Sequence, residues 1–190
     1  MDRPVELVPL LCLKCGQPIP AALNEVAWVC SQCGQGQRLV EEAAVENGGQ
    51  PATPAGLIPL DIHYSATIPP NGKGRPFWVA EGTVLLQRQT YGSSRTREAQ
   101  DYWNSPRRFF IPAYDCPLEE ALQESLQRLA RPEQLPPGPP VAFLPVTLPE
   151  EDLQALAEFV VMVIEAKRKD KLREVVFSVR LEPPDLWILP

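Results

Sequence analysis

Two copies of one short pattern, CLKCG at residues 12–16 and CSQCG at residues 30–34, hold four of the five cysteines. A two-residue spacer turns both thiols of a pair to the same side, so each copy can grip one metal ion. Together they supply the four thiolates of a tetrahedral site. A glycine behind each second cysteine can take positive φ and let backbone N–H groups approach the sulfurs, offsetting the negative charge gathered there. Fourteen residues separate Cys15 from Cys30, enough for a short strand out and another back.

Over residues 12 to 34 the pattern resembles the zinc ribbon family. That resemblance implies a small β unit around one structural Zn²⁺ held by Cys12, Cys15, Cys30 and Cys33, and it carries nothing to the rest of the chain. Three other uses of paired cysteines compete. Disulfides suit an oxidising compartment, whereas an unpaired fifth cysteine, Cys116, fits a reducing one. A thioredoxin-like centre needs a single Cys-x-x-Cys beside a βαβ pattern. A rubredoxin-like iron site uses the same paired grips, but with knuckles spaced more widely among aromatics, and only Trp28 could serve here. Four protein ligands close the coordination sphere and leave no position for an activated water. The expected role of the ion is structural.

The 190 residues carry 18 Lys+Arg against 24 Asp+Glu, a formal charge of -6. Neutralising phosphates needs a clustered cationic surface, so nucleic acid is disfavoured as a partner. No basic segment followed by an apolar core opens the chain. The run Leu153 to Ala166 is apolar but contains Glu158 and falls short of the ~20 residues of a bilayer span. The expectation is a cytoplasmic protein without membrane contact.

Composition and turn signals divide the chain into a ribbon at residues 1–45, a linker of Gly, Pro and small residues at 46–56, and an α+β domain at 57–190. Proline, 23 of the 190 residues, favours short strands and ordered loops in that domain. Asn71-Gly72 predicts a hairpin between the β-rich runs 57–68 and 75–89. A polar connection over 91–106 then leads to a strand in RRFFIPA. One helix is predicted over 116–130, with Leu118, Leu122, Leu126 and Leu129 on one face. VAFLPV (141–146) is a candidate buried strand. Thr147 and Glu150 form a capping-box pattern opening a second helix that ends near Arg168. A closing hairpin turns at EPPD (182–185). Strands and two helices out of strict alternation make a mixed α+β fold.

No catalytic set emerges. Asp61, His63 and Ser65 alternate along one strand, which lines them up on one face, whereas a triad converges from separate elements. NGKGRP (71–76) lacks phosphate-loop spacing and a following helix, so it is a turn. The stretch with most to offer runs from Arg88 to Arg108. Its candidate binding residues are Arg95, Arg97, Tyr102, Trp103, Arg107 and Arg108, because arginines interleaved with aromatics suit an interface anchor or a base-stacking surface. The competing reading is a solvated loop whose aromatics fold back on the sheet. The functional expectation is a non-enzymatic adaptor or assembly protein that contacts another protein. The alternative is a nucleic-acid-binding ribbon protein using the arginine–aromatic stretch.

Overall fold

The computed structural model describes residues 8–40, 56–90, 94–131, 134–168 and 172–190. It is an α+β structure with two sheets. The smaller is antiparallel, ordered β1 (Ala27–Val29), β2 (Gly36–Val40), β3 (Gly56–Pro59). The larger is built on β5 (Arg75–Thr90), a 16-residue strand. Its order is β4 (Ile62–Tyr64), β8 (Asp185–Leu189), β5, β6 (Arg107–Pro112), and β7 (Leu172–Leu181) also pairs with β5. Most of the expected linker lies outside the described residues. Its last residue, Gly56, starts β3, which extends the small sheet by pairing with β2.

Side chains alternate across β5, as strand geometry requires. Trp78, Ala80 and Val84 face one cluster; Phe77 and Val79 face the other. Phe109 and Ile111 of β6 join the first, and Phe110 joins the second. With both faces covered, FWVA and FFI are continuous apolar runs. The first face is closed by α3 (Leu153–Ala166), whose Leu153, Ala157, Val160 and Val161 are buried at helical spacing. Helix α2 (Leu118–Ala130) packs beside β6 and buries Leu129, while Leu118 stays exposed. No helix among the described residues is long and apolar enough to cross a membrane.

The hairpin expected at Asn71-Gly72 is not there. A tight turn does form, with the Gly72 N–H donating to the Pro69 carbonyl at 2.7 Å. The strands on either side are nevertheless separated by β8, which pairs parallel with β4 and antiparallel with β5. The closing hairpin is absent as well, because β7 and β8 lie end to end along the same edge of β5. Leu181 stands opposite Gly82 and Asp185 opposite Val79, so Glu182, Pro183 and Pro184 face only Ala80 and Glu81. That is a bulge, held by the Glu182 N–H on the Glu81 carbonyl at 2.8 Å.

Two local expectations also change. Within the polar connection, Ser94–Trp103 forms a helix, α1, which buries Ala99 and Trp103 one turn apart. The capping box does not close: a short 3₁₀ turn, Glu150–Asp152, precedes α3, and neither start has a side-chain cap. Glu150 instead meets Arg38 at 2.8 Å, and the Thr147 N–H donates to the Ala113 carbonyl. VAFLPV is extended without being a sheet strand; Phe143 bridges to Gly74 and Val146 to Ala27. This segment ties the small sheet to the larger body. Ala27 lies in the main core, and the Val26 N–H reaches the Val146 carbonyl at 2.9 Å.

Candidate metal centre

The two cysteine turns fold identically. In the first, the Cys12 N–H donates to the Gln17 carbonyl and the Gly16 N–H to the Cys12 carbonyl, both at 2.8 Å. In the second, Cys30 and Gln35, then Gly34 and Cys30, repeat these bonds at 2.9 Å. Gly16 and Gly34 have φ of 70° and 73°, the left-handed conformation that glycine adopts without a Cβ penalty. Strand β1 leads into the second turn and β2 leads out of it.

These turns bring the four sulfurs within 4.8 Å of one another. Cys12 Sγ stands 3.5 Å from Cys33 Sγ, and Cys15 Sγ 3.6 Å from Cys30 Sγ. Four sulfurs each ~2.3 Å from one ion would be about 3.8 Å apart, so the set fits a single tetrahedral metal ion. Cys12 and Cys30 are buried, Cys33 is half-buried and Cys15 is exposed. Backbone amides converge on the sulfurs. The Cys15 amide, and less strongly that of Lys14, lower the Cys12 thiol to about 6 against the effect of burial. The Gln17 amide pulls the Cys15 thiol down, but local desolvation of the sulfur and the three other sulfurs outweigh it and push that thiol up to about 12. An ion binds the thiolate form and removes this competition for protons.

Sequence reasoning missed two supports. Gln37 of β2 is fully buried; it accepts from the Leu13 N–H at 3.1 Å and donates to the Leu11 carbonyl at 3.2 Å, which pins the first turn to the second strand. Trp28 packs with Cys12, Ile19 and Cys30, and its Nε1 donates to Glu25 at 3.0 Å. Gln37 stands between Gly36 and Arg38, so its immediate neighbours gave no signal for the brace.

No protein-family model, curated protein or solved structure matches the chain.

The remaining candidates are placed as follows. Trp103 is a core residue, 3% exposed, and its Nε1 donates to Glu165 at 2.9 Å. Arg88 forms a fully buried pair with the same carboxylate at 3.0 Å, and Arg168 approaches it at 2.8 Å. Arg107 donates twice to the Tyr102 carbonyl, and its guanidinium lies 4.1 Å from the Tyr102 ring. Arg108 pairs with Glu81 at 2.8 Å. Only Arg95 and Arg97 of the candidate set stand exposed on α1. Arg88, Arg107 and Arg108 are thus engaged within the fold, and Tyr102 meets both Arg107 and the buried Trp103. Asp61, His63 and Ser65 do not form a converging set: His63 stacks on Trp187, and buried Ser65 bonds Thr67 at 2.7 Å. Burial, with Glu120, Asp115 and Glu124 nearby, pushes the Cys116 thiol up, which is unlike a reactive cysteine.

Proposed function

We propose that the four-cysteine unit is a zinc ribbon holding one structural Zn²⁺, and that the protein is a non-enzymatic adaptor whose ribbon surface docks a protein partner in a reducing, cytoplasmic setting. The carrying observation is the surface of the small unit. Leu11 and Leu13 beside the first cysteine turn are 45% and 49% exposed, and Leu23 is 91% exposed. Leu23 stands at an open cleft of about 580 Å³ lined also by Ala22, Asn24, Tyr114, Leu144 and Pro145. Apolar side chains held out on a rigid unit beside a cleft suit protein contact. Phosphate contact needs cations, and here Arg38 is drawn inward to Glu150 and Glu151, leaving Lys14 as the exposed one among the described residues of the unit.

A photo-crosslinker placed at Leu13 or Leu23 in the full chain tests this reading. The expected result is a discrete adduct in cells that disappears when the other leucines are changed to serine. Steeply salt-dependent binding to single-stranded oligonucleotides, lost on replacing Arg95 and Arg97, would transfer the function to the nucleic-acid alternative. Absence of both overturns the adaptor reading.

A further inference from the structure

Strand β7 pairs with β5 along one edge, and no described strand lies along the other. An unpaired strand edge offers a row of backbone donors and acceptors that another extended chain can match. Natural edges are blunted by proline, bulges or inward charges. From Glu174 to Arg180 the strand reads EVVFSVR, without proline, and its pairing with β5 is regular there. One group beside this edge is engaged: the Val179 carbonyl accepts from Gln154 Nε2 at 2.8 Å. A carbonyl has a second lone pair for an incoming N–H.

We propose that β7 pairs with β7 of a second copy, antiparallel about a two-fold axis through Phe177, joining the two large sheets. The choice of occupant rests on charge and parity. Glu174, Val176, Ser178 and Arg180 are exposed on one face of β7, while Phe177 and Val179 pack on the core and Val175 is half-buried on their face. Directly opposed residues of an antiparallel pair share a face, so a two-fold axis between identical strands must pass through a residue. Centring on Phe177 sets Glu174 against Arg180 twice, with Val176 against Ser178 between them. Centring on Val176 instead sets Glu174 against Ser178, and centring on Ser178 sets Arg180 against Val176. Only the Phe177 centre pairs the two charges. Within the chain both are unmatched by strand neighbours: Glu174 faces Gln89 and Arg180 faces Thr83, and neither has an ion pair among the described residues.

Sedimentation of the full chain over a concentration series gives the test, with Glu174→Arg and Arg180→Glu as separate variants. Both positions are exposed, so each variant should keep its fold, which circular dichroism checks. The wild-type chain should dimerise. Each single variant should dimerise about tenfold more weakly, because two like-charge contacts replace two attractive ones. An equimolar mixture of the two variants should recover association, since each supplies the charge the other needs. Dimerisation indifferent to either change, a mixture no better than its components, or a wild-type monomer at every concentration would overturn the proposal.

Discussion

Trp103 and Arg168 donate N–H groups to the carboxylate of Glu165, which is 1% exposed, and Arg88 is ion-paired with it at 3.0 Å. Replacing Glu165 with alanine removes the counter-charge of a buried arginine, and breaking such a pair costs about 3–5 kcal/mol. Glu165→Ala should therefore lower the denaturation midpoint severely. Glu165→Gln, which keeps an acceptor for Trp103, should do less harm. Equal and small effects in chemical denaturation would contradict this. The cysteines give a second prediction at the same scale. Purified protein should carry about one metal equivalent by elemental analysis, and Cys30→Ser should lose it. Acidification should release the ion too, because protons compete for the thiolates. Full metal retention in Cys30→Ser would mean that these four sulfurs are not the ligand set.

Among the elements, helices α2 and α3 were legible because their apolar residues recur at helical spacing and a proline precedes each. Helix α1 was not: among its described side chains only Ala99 and Trp103 are buried, too few to make a stripe. The strands of the larger sheet were legible as runs, but their partners were not, and in the small sheet the outgoing strand expected after Cys15 is absent while β2, after Cys33, was not foreseen. Pairing is a property of distant segments, and a strong turn at Asn71-Gly72 cannot disclose that β8 will enter between its arms. The cysteine ligands could be read because their geometry is local, whereas the Gln37 brace depends on a contact between β2 and the distant first turn. Gly82 belongs to this scale as well. It sits where β5 is paired on one side by β6 and on the other by β7. A Cβ there would come within 2.7 Å of the Phe109 ring and 2.8 Å of Leu181. Gly82→Ala should thus cost about 1–3 kcal/mol through overpacking. An unaltered unfolding midpoint would show that the ring and the leucine move aside freely.

For the whole molecule, the metal unit and the larger body share structure. Ala27 is in the main core, and Arg38 reaches Glu150 and Glu151 just before α3. Stripping the ion with a chelator should therefore lower the melting temperature of the larger body as well, since metal binding contributes folding energy to whatever it is coupled to. A separate early transition, with the main one unmoved, would show that the two parts melt independently. The position of β8 has a further consequence, one of time. During synthesis β4 and the first half of β5 emerge long before Asp185–Leu189, the strand that pairs with both. Until it is made, each keeps an open edge and the large sheet cannot close. Contacts this far apart in sequence slow folding and prolong the exposure of unpaired strands. The large sheet must wait for Asp185–Leu189 to be made, and during that wait the edges of β4 and β5 that β8 will cover stand open.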